Sequence, residues 1–329
     1  MDDRFRETSY IPLSFFPLKW IVETEEFLQN QLKFPMVLGC NRLSLKPKIV
    51  DLKNTGHILI VGNDKNEDLC RRTTTRSLQY ILTSLLFRHD KIPLQFALMD
   101  PRGINFGAYR SLPYLEFPIA HQPEEIYLTL EKCVEEMLQR HSLLKRLHIK
   151  DIDEFNATQW NPQKNHEFFN NGVQKKFPYI VIAIDHVSDL LSSENKKDIE
   201  PLILQLLQLG RQVGIHLILV THTLDNKIFD PILTLNCSIR ICFSILYGKD
   251  EKTLPCVQSS GGIWYSFSTR EQILPIRMIP YLTDDQISWL AIYLKNQEVA
   301  NNLENLVLRA RELHHTKGSV NLPKINLFD

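Results

Sequence analysis

Tyr179-Ile180-Val181-Ile182-Ala183-Ile184-Asp185 is an unbroken apolar run that stops at a carboxylate. Its β-branched content and lack of polar alternation are those of a strand covered on both faces, as in parallel sheets. Similar runs lie on either side of it. Downstream come a helical pattern over Ile199–Val213 that stops at Gly214, and a strand over Ile215–Val220 ending at Thr221-His222. A strand over Ile239–Ile245 and an edge strand over Gly262–Ser266 follow. Upstream, Leu94–Met99 ends at Asp100-Pro101, and His57–Gly62 is a strand ending in glycine. Between these two, the pattern predicts a polar loop from Asn63 to about Thr75. A helix over Arg76–Arg88 then carries Leu78, Ile81, Leu82, Leu85 and Leu86 on one side.

Pro123-Glu124-Glu125 opens a long helix to about Leu147, and Asp153–Phe155 a short one. Short strands are expected at Met36–Gly39 and Ile49–Leu52, an Asn-rich loop over 158–177, and a late helix over Asp284–Leu294. Strands alternating with helices of this length define an α/β fold with a mostly parallel sheet and helices on both faces. Ligands of such sheets bind beyond the carboxyl ends of the strands. Gly62, Asp100, Asp185 and Thr221 are therefore expected at one rim.

The 329 residues divide into an N-terminal appendage over 1–35, a main domain over 36–296, and a C-terminal helical extension and tail over 297–329. Lys and Arg total 38, as do Asp and Glu, so the net charge of zero gives no footprint for nucleic acid or a membrane. The six cysteines form no C-x-x-C pair and are expected to be buried thiols in a reducing compartment. No secretory leader and no apolar run of spanning length is seen, so a cytoplasmic location is expected, peripheral to a membrane only through a partner.

Several blocks together resemble the FtsK/SpoIIIE-type motor domain, the family of bacterial DNA translocases and of the tandem ATPase domains of type VII secretion proteins. The resemblance runs from about Thr24 to Asn296. Its blocks are Val37-Leu38-Gly39 with Val50-Asp51-Leu52, Gly56–Gly62, Phe96–Arg102, Arg140–Leu144 with Phe155-Asn156, and Phe177–Leu191. The most specific block is Gly210-Arg211-Gln212-Val213-Gly214-Ile215-His216-Leu217. The resemblance implies a RecA-like P-loop NTPase fold.

The chemistry of that family carries over less completely. A phosphate loop has the form G-x-x-x-x-G-K-[ST], whose glycines let backbone N–H groups curl around phosphate. Here Gly62 is followed by Asn63-Asp64-Lys65-Asn66-Glu67-Asp68-Leu69-Cys70, with no second glycine and no lysine in register. In a second alignment Arg76-Ser77 takes the Lys-Ser position. Ser77 would then hold magnesium and Arg76 a phosphate, with Arg71 and Arg72 completing an anion site near a helix N-terminus. The other reading is a remodelled loop that takes no nucleotide.

Asp185 matches the magnesium-linked aspartate, but His186 stands where the family usually has a carboxylate, either as a substitute base or as a loss. Thr221 matches the phosphate-sensing position, with His222-Thr223 in place of Gln-Arg. Arg211 is a candidate subunit contact, or a side chain that stabilises its own helix terminus. Asp151 and Asp153 read as caps of the next helix. The expectation is a pseudo-ATPase that needs no cofactor and binds a protein partner, active ATPase subunits or a membrane-bound assembly. The alternatives are a divergent translocase using Mg-ATP with Asp185 and His186, and a DNA-binding module without hydrolysis. An oligomer is compatible with each.

Overall fold

The computed structural model describes residues 35–41, 47–62, 67–86, 93–170, 173–222, 231–243, 263–266, 273–277 and 283–296. The appendage and tail expected at 1–34 and 297–329 lie outside them. In chain order the strands are β1 (Pro35–Asn41), β2 (Pro47–Asp51), β3 (Ile58–Gly62), β4 (Leu94–Met99), β5 (Phe169–Asn170), β6 (Val173–Gln174), β7 (Tyr179–Ile184), β8 (Ile215–Thr221), β9 (Ile239–Phe243), β10 (Ile263–Ser266) and β11 (Ile273–Arg277). The helices are α1 (Leu52–Thr55), α2 (Glu67–Leu86), α3 (Pro123–Leu147), α4 (Ile152–Ala157), α5 (Val187–Leu191), α6 (Lys196–Leu209), α7 (Pro231–Asn236) and α8 (284–296). Among them none is long and apolar enough to cross a membrane.

One sheet of nine strands runs in the order β2-β1-β11-β10-β9-β3-β8-β7-β4. The five strands from β9 to β4 are mutually parallel, and the other four extend the sheet in antiparallel pairs. Gly262–Ser266 was expected at an edge. The strand found there, β10, is interior, hydrogen-bonded to β9 on one side and β11 on the other. The order places β1 and β2 beyond β11, a pairing across more than 230 residues that local pattern does not encode.

Two apolar clusters cover the two faces. Ile58, Ile60, Val181, Ala183, Ile218 and Val220 meet α2 and α8, while Leu59, Val61, Ile180, Ile182, Leu217 and Leu219 meet α3, α5, α6 and α7. Each central strand thus sends alternate side chains into different cores, which is why its sequence shows no polar face.

The start of the strands is held by unusually specific contacts. Arg140, buried on α3, donates from Nη1 to the Pro178 and Val213 carbonyls at 2.7 and 3.0 Å. Its Nε pairs with Glu136 at 2.7 Å. The block 210–217 is a turn built for close packing. A Cβ on Gly210 would lie 2.7 Å from the Ile215 carbonyl oxygen, and Gly214 has φ +75°. Helix α6 therefore ends at Leu209, and a 3₁₀ turn over Gly210–Val213 replaces the last turn expected from the sequence. Arg211 donates from Nε to the Lys53 carbonyl at 2.8 Å and from Nη2 to the Asn54 carbonyl at 2.6 Å, so it stabilises the end of α1 rather than of its own helix. Asp151 caps α4 by accepting from the Asp153 and Glu154 N–H groups.

Beneath this turn His57 and His216 are completely buried. The Leu217 N–H donates to His57 Nδ1 at 3.0 Å, and His216 Nδ1 lies 3.2 Å from the Gly56 carbonyl oxygen. Burial pulls His57 down to about 4; burial and then the neighbouring His57 pull His216 down to about 3.

Arg140→Ala leaves the Pro178 and Val213 carbonyls without this donor. A loss of about 3 kcal/mol in urea denaturation is expected, against less than about 1 kcal/mol for alanine at the exposed Arg146–Glu167 pair.

Candidate functional site

The parallel register brings the expected rim together. Val61 lies opposite Thr221, and Ile184 opposite both Met99 and Leu219. The Asp185 N–H continues that ladder by donating to the Met99 carbonyl at 3.0 Å. Gly62, Asp100, Asp185 and Thr221 thus sit at the carboxyl ends of β3, β4, β7 and β8, and all four are buried.

Asp185 is the centre of this rim. Its Oδ2 accepts from Thr75 Oγ1 at 3.0 Å and from Asn105 Nδ2 at 2.8 Å, and its Oδ1 accepts from the His186 N–H at 3.0 Å. Burial raises its pKa from 3.8 to about 7, with the nearby Asp100 adding to the rise and the three hydrogen bonds opposing it. Asp100 organises the neighbouring turn. Its carboxylate accepts from the Arg102 and Asn105 N–H groups at 3.0 and 2.6 Å, and the Gln79 side chain holds the Asn105 carbonyl at 3.1 Å.

His186 has φ 55°, a left-handed conformation uncommon outside glycine, at the residue that opens α5. Its Nε2 lies 3.3 Å from Asn105 Nδ2 and 3.7 Å from Asp185 Oδ2, and its Nδ1 contacts His222 Nε2. The Asn105 amide gives one hydrogen to Asp185 and the other to His186 Nε2. That assigns the proton to His186 Nδ1, which donates to His222. Both ring nitrogens are therefore engaged, and the ring is buried.

The helix after β3 differs from the sequence expectation. The sequence pattern predicts loop over 67–75, yet α2 is already helical at Glu67. The short polar residues Thr73-Thr74-Thr75 have low helix preference and the charged residues before them carry no apolar stripe, so the local sequence does not show the helical start. One consequence is that Thr75, and not Ser77, meets Asp185. Ser77 is buried two residues further on, about 200° around the helix from Thr75. Arg76 is half-buried beside it, and the side chains of Arg71 and Arg72 lie outside the described residues. Asn105 and Thr75 were missed at the sequence level. The signal for Asn105 was its position two residues past the Asp100–Gly103 turn that follows β4, where a carboxamide reaches back to the next strand end.

A buried carboxylate at the rim of a doubly covered parallel sheet, facing a hydroxyl on the helix that follows the first parallel strand, defines a RecA-like P-loop NTPase fold. The chain belongs to the FtsK/SpoIIIE family, whose model matches residues 17–226, more than half of its length. It is 28% identical over 265 residues to the DNA translocase FtsK of Rickettsia prowazekii, an alignment covering 75% of this chain and 34% of that protein. The chain thus spans about a third of that relative's length. Its fold is similar to EssC (ATPases 2 and 3) from Geobacillus thermodenitrificans, with TM-score 0.61, 17% identity and coverage of 87% of this chain and 50% of the other. It is also similar to the cytoplasmic domain of the type VII secretion ATPase EccC from Thermomonospora curvata, with TM-score 0.56, 20% identity and coverage of 79% and 31%. The protein is therefore a member of the FtsK/SpoIIIE family that resembles DNA translocases in sequence and shares its fold with type VII secretion ATPases.

Opposed titrations at the two ends of the sheet make their electrostatics measurable. Between about pH 4 and 6.5 the unfolded chain protonates His57 and His216 while the native state does not, so both cost stability as pH falls. Asp185 acts in the reverse sense, because the native state holds its proton up to about pH 7 and the unfolded chain releases it above 3.8. Wild type should therefore gain on Asp185→Asn by about 1.4 kcal/mol per pH unit of acidification across this window. Urea melts of both proteins at stepped pH measure the difference, which cancels every unaltered group.

Proposed function

We propose that this chain is a non-hydrolysing FtsK/SpoIIIE-type module that works by holding a protein partner within a secretion or DNA-transfer assembly. One observation carries the reading: α2 is already helical at Glu67, where a phosphate loop ending at Arg76-Ser77 would still be curling. In a helix beginning there, the N–H groups from about Arg71 onward are spent on carbonyls four residues back. They cannot also cradle a triphosphate. The residues that remain at the helix start, Glu67 and Asp68, repel phosphate and suit a helix N-terminus that takes none. On these grounds the residues do not fit Mg-ATP.

The rim supports the same reading. The Asp185 carboxylate is occupied by Thr75, Asn105 and the His186 N–H, so a metal ion would have to displace established hydrogen bonds. His186, with both ring nitrogens engaged, has no lone pair to offer an attacking water. The partner in this reading is a protein, either active ATPase subunits of a related ring or a membrane-bound assembly met from the cytoplasmic side. The working unit is the domain over 36–296.

A second reading rests on the Thr75–Asp185 contact. P-loop NTPases hold magnesium between such a hydroxyl and such a carboxylate, and a divergent translocase would keep that pair.

Titration calorimetry with ATP and magnesium decides between them. The expected result is no saturable heat up to about 1 mM ATP. Micromolar binding, or DNA-stimulated phosphate release that Asp185→Asn abolishes, would overturn the first reading in favour of the second.

A further inference from the structure

At the opposite end of the sheet from Asp185 lies a cleft of about 540 Å³, within the range of ligand-binding pockets. It is formed where α1 precedes β3, where the Gly210–Val213 turn precedes β8, and where Lys150-Asp151 leads into α4. Because β3 and β8 are parallel, this site is separated from the rim by the length of the strands, and a ligand here does not compete with one there.

The charge on its walls is not balanced internally. Asp151 is the acidic residue that lines it, and its carboxylate is already used: Oδ1 caps α4 and Oδ2 pairs with Lys53 at 3.5 Å. Lys53 is in turn paired with Asp153. Arg211 donates to the Lys53 and Asn54 carbonyls, which engage two of its five N–H groups without neutralising its charge. The Lys150 ammonium forms no ion pair among the described residues. Glu154 lies nearby, its Oε2 accepting the Lys150 backbone N–H at 2.9 Å, but among the described residues neither the Lys150 ammonium nor the Arg211 guanidinium is in ion-pair contact with a carboxylate, and the lining itself holds three cations against one anion.

The remaining walls suit a polypeptide. Gln212 uses its Nε2 on the Lys150 carbonyl at 2.7 Å, which leaves its side-chain oxygen to accept a backbone N–H. The Gln208 carboxamide is exposed beside it, able to donate and accept, and Leu209, 42% exposed, supplies an apolar surface. Duplex DNA binding draws on a long track of phosphate contacts, about six to ten of them. A compact cleft with two free cations, carboxamides and a leucine does not offer that.

We propose that this cleft binds an acidic peptide segment of a protein partner, with an Asp or Glu carboxylate seated between Lys150 and Arg211 and the peptide backbone read by the carboxamides. The proposal gives a partner chemistry to the protein-binding reading and rests on that part of it. Nucleotide binding at the rim would overturn the non-hydrolysing part and leave the cleft untouched, so the two failures are distinguishable.

The probe is a display library of short random peptides, selected on the full chain. Binding of the selected peptides is then measured on Lys150→Glu and Gln208→Glu, both exposed changes, with thermal melts to verify folding. Selected peptides should carry an excess of Asp and Glu, and weaken by about ten-fold on Lys150→Glu. Replacing their acidic residues with Asn or Gln should cost as much, and added salt should weaken them further. No enrichment over a blank surface, no acidic excess, unchanged affinity for both variants, or displacement by duplex DNA would each overturn the proposal.

Discussion

The constraint on which this structure depends is a five-stranded parallel sheet that must be buried on both faces. Parallel neighbours cannot be joined by tight turns, so every strand needs a crossover, and helices fall on both sides. Every carboxyl end then reaches the same rim. Ile58 and Ile60 enter one core while Leu59 and Val61 enter the other, and the same alternation holds along β7 and β8. Residues separated by more than a hundred positions, such as Thr75 and Asp185, become hydrogen-bonded partners as a result.

The two ends of the sheet are built differently. At the starting end, Arg140, Gly210, Arg211 and Gly214 fix strand positions through backbone carbonyls and close approaches. The block Gly210–Leu217 is thus fixed in place by close backbone packing and by hydrogen bonds to carbonyls. At the carboxyl end, carboxylates, hydroxyls, amides and imidazoles converge in a buried network centred on Asp185. Buried networks of this sort hold their members in single orientations because each unmet hydrogen bond is costly. At the rim Asp185 is held by Thr75, Asn105 and the His186 N–H.

Much of the fold was legible in sequence because burial on two faces leaves an unambiguous pattern. The runs at 58–62, 94–99, 179–184 and 215–221 carry nothing polar enough to face water except His216, Thr221 and Gln95, and each marks a strand. Helix α3 was equally plain, since Pro123, Glu124 and Glu125 belong to a first turn. Asp185 stood out because a carboxylate that ends a buried run has few structural uses. The start of α2 was not legible. Its first turns hold Glu, Asp, Arg and Thr without an apolar stripe, so local preference favours loop, whereas the buried stripe that marks a helix begins only at Leu78. The interior position of β10 was hidden for a different reason, because a four-residue strand says nothing about its neighbours.

The sequence by itself determined the parallel α/β class, the strand ends that share a rim, and the family that the chain belongs to. These follow from patterns repeated over many residues, in which each apolar position contributes to the same signal. Tertiary structure alone decided which hydroxyl meets Asp185, that Asn105 and His222 join its network, and that Arg211 serves the end of α1. Each of those rests on one or two hydrogen bonds between distant residues. Their geometry depends on helix phase and strand register, and a shift of one residue rotates a helical side chain by about 100°.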